Sequence, residues 1–401
     1  MRYGFVLLLL VFALVCATVA YAAPFGKVYF VKLTGSASDA SSDVCLQEVP
    51  DGQARVLIAH QSLPVAFKGR IESAQPSPDG TLLLLGESRV TTIRNIKTGA
   101  TRRMLGGTYS LDSSTEKVVS STPGATWLRL ADGRLRKLVL AGPHDKVHNL
   151  SWTPRGHLLY LFVRRNKGKF ASLRLFDPLV GKSLNINSVA HPVISAWPAH
   201  GQGIYVVDQS DDGTGRVLQL TGGGHAHVLF TWPRFIYGLA VSSNGSYITL
   251  ADARGHYLLD NRGKLLYTLR VMVGEEHPST NASFSPDGTS LALLISQATG
   301  EPHVNIHEEL WTVSVPTGAA QRLTEWNAML GNTPGGDPMH KLLGWTPDGR
   351  TLLIIERPGT IGGPETYWQK LLHYPLKPNQ PATLFFDSGS FVIDVEWQAG
   401  K

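Results

Sequence analysis

The chain has 401 residues, 43% hydrophobic and 17% charged, so it carries enough apolar material for a sizeable core and is not a disordered polymer. Its 41 Gly and 24 Pro argue against long helices and for short strands joined by turns, and two Cys exclude a disulfide scaffold or a multi-Cys zinc site. The formal charge of +6 comes from interspersed basic and acidic residues without a basic run, which excludes a nucleic-acid-binding arm.

Residues 1–22 read as a targeting segment. Arg2 supplies the positive charge, Phe5 to Val15 the apolar stretch, and Ala20-Tyr21-Ala22 a small-x-small cleavage site before Ala23. The alternative is an uncleaved anchor, because Phe5 to Ala23 nearly spans a bilayer. Val15 before Cys16 is larger than a lipoprotein site favours. The expected mature chain, 23–401, has no further membrane span and is periplasmic or secreted. It keeps one thiol, Cys45, so no intrachain disulfide forms.

A pattern then recurs at roughly 45-residue intervals: an aromatic or apolar residue, a polar turn, and an apolar strand. In chain order the copies are PSPDGTLLLL (76–85), YSLDSSTEKVV (109–119), WTPRGHLLYLF (152–162), WPAHGQGIYVV (197–207), VSSNGSYITLA (241–251), FSPDGTSLALL (284–294) and WTPDGRTLLII (345–355). VEWQAGK at the end is half a copy. In the turn, Pro presets φ, Asp bonds its own backbone, and Gly takes positive φ. Each turn leads to a strand, a loop, a third strand, a short turn and a fourth strand. Four strands per repeat of this length mark a β-propeller blade.

The two ends complete one another. Residues 27–59 hold three strands without a first, and 391–397 hold a first without a successor. The expectation is an all-β chain, a single β-propeller with a ring closed by both termini in one blade. The blades are 27–59 with 391–397, 70–105, 107–140, 146–187, 192–230, 235–270, 279–324 and 340–386. That makes eight, or seven if the degenerate copy at Tyr109 is not a blade.

The copies Ser77-Pro78-Asp79-Gly80, Ser285-Pro286-Asp287-Gly288 and Thr346-Pro347-Asp348-Gly349 resemble the WD-like repeats of the TolB propeller and its relatives. The resemblance covers nearly all of the mature chain and implies the fold. Its functional implication is weak, since similar blades occur in TolB, in the propellers of prolyl-oligopeptidase-like peptidases and in oligogalacturonate lyases. TolB-like proteins place an α/β domain before six blades; here the first strand starts close to the cleavage site and eight blades are counted. No Gly-x-Ser-x-Gly elbow is present, and no hydrolase domain is expected after Trp397.

One face of such a ring carries the first-to-second and third-to-fourth turns, which are short. The other carries the longer segments: 34–43, 60–70, 208–216, 271–280, 296–309, 325–341 and 356–368. Insertions confined to one face mark a binding face. The expected surface spans the closure seam, with Trp326, Asp337, His340, Arg357, Tyr367 and Trp368 as contact candidates, the aromatics as partner anchors. His303, His307 and Glu308, near Glu301 and Glu309, are candidates for a divalent metal; the other reading is solvated loop residues. Oligogalacturonate lyases hold a metal with His and Gln, but no motif here carries those ligands over. His225-Ala226-His227 reads as a structural turn, and Trp152, Trp197, Trp345 and Trp397 as packing between blades. The functional expectation is a monomeric, non-catalytic scaffold without a cofactor that binds a protein or cell-envelope component. The alternative is a metal-assisted polysaccharide lyase or hydrolase at the axis.

Overall fold

In a computed structural model the described residues are the strands between Gly26 and Ala399 and some of the tight turns joining them, with side chains described within 27–101 and 204–384. Residues 1–22, expected from the sequence to be a targeting segment, lie outside them, and no helix among the described residues is long and apolar enough to cross a membrane. The described residues form eight four-stranded antiparallel sheets. Numbered in chain order, sheets two to eight span 73–105, 108–140, 146–186, 193–232, 238–269, 279–329 and 340–387. In each, consecutive strands are neighbours. Sheet one joins Gly26–Thr34, Ser41–Val49 and Arg55–Ile58 to the C-terminal strand Val392–Ala399, with Val28 opposite Trp397. Thr108–Leu111, the degenerate copy, is the first strand of sheet three.

The motif turns explain themselves locally. Ser285 Oγ donates to Asp287 Oδ1 at 2.6 Å and accepts from Ser290 N at 2.9 Å, while Gly288 N donates to Ser285 O at 2.8 Å. Thr346, Asp348 and Gly349 repeat this arrangement, and Ser242, Asn244 and Gly245 repeat it with Asn in place of Asp. The Ser285 hydroxyl and the Thr289 amide hold the Asp287 carboxyl below its ordinary range. Gly288 has φ 71°, a conformation a Cβ disfavours.

The core lies between sheets. Strand side chains alternate, so a strand covered on both faces is largely apolar on both. In sheet one, Tyr29 and Val31 pack with Ile71, Leu83 and Leu85 of the sheet-two side, while Val28 and Phe30 pack with Leu353 and Ile355 of sheet eight. Similar slabs join sheets five and six (Val207 with Leu250), six and seven (Leu258 with Leu293) and seven and eight (Leu294 with Ile354). Each fully buried aliphatic side chain contributes about 1.5–3 kcal/mol. Trp345 adds a bond across its seam, donating from Nε1 to Ser283 O at 2.8 Å.

Several segments expected as loops are strand. Ser290–Thr299 and Asn305–Ser314 form a long hairpin, and Ala320–Met329 continues it, so His307, Glu308, Glu309 and Trp326 stand on strands. Ser41 to Asp43 likewise belongs to a strand. The polar residues hid these strands, because neighbouring elements supply their partners.

Outer strands lock onto the next sheet's turn. A Cβ at Gly318, in the third-to-fourth turn of sheet seven, would meet the Tyr267 ring of sheet six at 2.3 Å, and Tyr267 OH donates to Pro316 O at 2.7 Å. Gly263 stands in the same relation to Phe230. Gly288→Ala, where there is room for a Cβ, is expected to cost about 1–2 kcal/mol from backbone strain alone. Gly318→Ala should cost about 1–3 kcal/mol more through displacement of the ring; urea unfolding of both variants measures the difference.

Cys45 is buried between sheets one and eight. Burial, with Asp43 adding and Lys32 opposing, pushes its thiol from 9.0 to about 11. The folded thiol therefore holds its proton more tightly than the unfolded one. Its stabilising contribution is complete below pH 9.0 and is lost as pH rises through about 11. Native protein is expected to resist thiol labelling that urea-unfolded protein undergoes, and Cys45→Ala to flatten this part of the alkaline limb.

Candidate functional site at the seam of sheets seven and eight

Consecutive residues on the third strand of sheet seven (Asn305–Ser314) point to opposite faces. Glu308 faces sheet eight and is fully buried. One carboxylate oxygen accepts from Ser296 Oγ at 2.8 Å, and the other meets His340 Nδ1 at 2.5 Å. His340 opens the first strand of sheet eight and is 2% exposed. Trp326, on the fourth strand of sheet seven, stacks on the His340 ring with centroids 3.9 Å apart and planes at 19°. It also meets Tyr374 edge-on at 5.6 Å. Burial, reinforced by Glu356 and opposed by a Trp326 hydrogen bond, pushes the Tyr374 hydroxyl up to about 12. His340 Nε2 is buried without a hydrogen-bond partner among the described residues.

His307 and Glu309 occupy the other face. Glu309 accepts from Trp311 Nε1 at 2.8 Å and from Arg322 Nη1 at 2.7 Å, and lies 3.3 Å from His307 Nε2. Burial raises its carboxyl, but the bonds from Arg322, Trp311 and His307 outweigh that and hold it low. His307 Nδ1 is 2.7 Å from Asn327 Oδ1, and Arg322 also pairs with Glu325 at 2.6 Å.

The candidates thus separate. Trp326 and His340 come together with Glu308, and Trp326 is half-buried against the core instead of standing free. His307 and Glu308 do not share a metal site, because they face opposite ways and each is bonded to other groups. His307, Glu309 and Glu325 bring ligand atoms within 4.8 Å of one another, but Arg322 already bridges the two carboxylates with its positive charge. A metal there would have to displace Arg322. Asp337, Arg357, Tyr367, Trp368 and His303 lie outside the described residues. The Ser296–Glu308–His340–Trp326 assembly was missed as a unit, since its closest contact joins residues 32 apart in sequence.

No protein-family model and no curated protein matches the chain. Solved structures do resemble it. A structure from a study of two prolyl endopeptidases aligns over 84% of this chain and 53% of its own, at 13% identity and TM-score 0.53. The dipeptidyl peptidase 4 of Porphyromonas gingivalis aligns over 91% of this chain and 61% of its own, at 8% identity and TM-score 0.60. The chain spans little more than half the length of these proteins, and the likeness shows the fold alone, a β-propeller-type arrangement of antiparallel sheets.

Removing one partner of a buried side-chain hydrogen bond leaves the other polar group buried without its bond. His340→Ala is expected to lower stability by about 3 kcal/mol in urea unfolding. Combined with Glu308→Gln it should cost less than the sum of the two, because no carboxylate then stays buried without its partner.

Proposed function

We propose that the eight sheets are the blades of one closed β-propeller of the TolB-like kind, exported by its N-terminal segment, and that it serves as a non-catalytic scaffold for a protein or cell-envelope component. The partner sits on the face carrying the second-to-third loops and the connections between blades. One observation carries this reading: the two edges of the sheets are built differently. At one edge the described first-to-second turns of sheets six, seven and eight share one tight geometry, closed at Ser242, Ser285 and Thr346 by the same bonds. At the other edge stand the strand ends Met329, His340, Glu356 and Lys370, between which the sequence runs for longer (330–339 and 357–369), and the Glu308–His340–Trp326 assembly lies near those ends. A buried, hydrogen-bonded assembly at those strand ends is a suitable rigid base for a binding surface. Arg2, the Phe5–Val15 stretch and Ala20-Tyr21-Ala22 support export.

Two exposed positions test the reading. Lys341 lies beside the seam at the loop-bearing edge, and Arg350 lies in a tight turn at the opposite edge. With a photo-cross-linking residue at each position, position 341 is expected to give a discrete adduct in envelope extracts and position 350 none. Adducts from 350 alone would overturn the assignment of the face.

A further inference from the structure

The short segment that joins sheets five and six, Pro233 to Tyr237, lies on the loop-bearing edge. Its backbone is held on both sides. Ile236 O accepts from Gln209 Nε2 at 3.0 Å, and Tyr237 N donates to Ala251 O at 2.8 Å. The Ile236 side chain is buried against Gly215, where a Cβ would meet it at 2.8 Å. Asp252, buried in sheet six, accepts from Trp232 Nε1, from Arg234 Nε and from Arg254 N, so it ties the segment to the second-to-third turn of its sheet. Between these anchors Phe235 stands 41% exposed, its ring tilted against Tyr237 with centroids 5.1 Å apart. The other large apolar side chains exposed among the described residues, Val56, Val228, Leu265 and Leu384, stand on fourth strands. A lone exposed apolar residue needs no explanation. An aromatic one on a rigid mount, set among arginines, has the composition of an interface anchor.

Charge around Phe235 is layered. The Arg216 and Arg234 side chains are 29% and 28% exposed, whereas the carboxylates that pair with them, Asp208 and Asp252, are fully buried. Arg254, which shares Asp252 with Arg234, is exposed. Asp212, in the neighbouring turn of sheet five, is exposed too, but its carboxylate is turned back on its own turn, accepting from Ser210 Oγ and Thr214 N. The described residues of this seam thus turn positive charge outward and hold most of the negative charge inside. We propose that Phe235, with Arg234 and Arg254, docks an extended segment of the partner protein in which an apolar side chain sits beside an Asp or Glu. The apolar side chain covers the Phe235 ring, which offers no hydrogen-bonding atom, and the carboxylate meets guanidinium forks that match its geometry. The inference rests on the reading of the loop-bearing face as the partner's face, and adds the chemistry of one contact on it, away from the seam of sheets seven and eight.

Selection from a random-peptide library displayed on phage, with the whole chain as bait, tests it. The enriched sequences are expected to place Asp or Glu close to Leu, Ile, Phe or Trp. A synthetic peptide of the enriched sequence should bind about 10-fold more weakly to Phe235→Ala and to Arg254→Glu, and unchanged to Arg350→Ala at the opposite edge. Both weakening substitutions are at exposed positions, and urea unfolding checks that each variant is folded. Oligogalacturonate, a polyanion without apolar side chains, is expected not to displace the peptide at about 0.15 M salt. No enrichment, enrichment of basic sequences, unchanged binding in either folded variant, or displacement by oligogalacturonate would each overturn the proposal. Any of these beside an adduct at position 341 overturns this docking point and leaves the face assigned; adducts from position 350 alone overturn the face.

Discussion

The structure depends on sheets that pack face to face. Each strand side chain points to one of two faces, and in sheet one both faces meet another sheet: Tyr29 and Val31 one neighbour, Val28 and Phe30 the other. Among the described residues no central core does this work. Apolar slabs between successive sheets do it instead, and each sheet is only as stable as the neighbours that cover it. This explains why runs such as Leu82–Leu85 and Leu291–Ile295 are apolar without interruption and buried along their length. It also gives the pairing of the two chain ends its weight, because Val392–Ala399 completes a sheet that packs against both sheet two and sheet eight.

Against this apolar rule, buried carboxylates stand out, and two of them, Asp252 and Glu308, follow a common scheme. At the seam of sheets five and six, Asp252 accepts from Trp232 Nε1 at 2.7 Å and from Arg254 N at 2.7 Å, and pairs with Arg234. At the seam of sheets seven and eight, Glu308 takes Ser296 and His340. Both carboxylates lie near the edge that carries the second-to-third connections, and both join residues from two sheets. Pure apolar packing fixes the spacing of sheets but little else. A carboxylate with directional partners fixes their register as well. The proposed binding face would therefore rest on the part of the molecule whose geometry is most closely specified, while the opposite edge is stitched by short turns and by rings such as Tyr267 resting on glycine backbone.

Much of the architecture was legible in the residues because its signals are local. The Ser-x-Asp-Gly turn closes its bonds within five residues, so the string of letters contains the whole interaction. Uninterrupted apolar runs announced the strands around it. The strand at Asn305–Ser314 was harder to read because His307, Glu308 and Glu309 interrupt its apolar pattern. Those side chains are satisfied by Ser296, Asn327, Arg322 and His340, three of them in the same sheet and one in the next. A sequence shows that a polar residue is present; it does not show whether a partner waits for it.

The amino-acid sequence by itself determined the strand-and-turn unit, its repetition, and the complementarity of the two chain ends, since each follows from steric preference and hydrogen bonds between near neighbours. The tertiary structure alone decided that Glu308 meets His340 beneath Trp326, that Arg322 stands between Glu309 and Glu325, and that Trp232 of sheet five meets Asp252 of sheet six. The physical reason is range. These contacts join strands or whole sheets that are brought together only when apolar faces pack, and no spacing along the chain encodes that meeting.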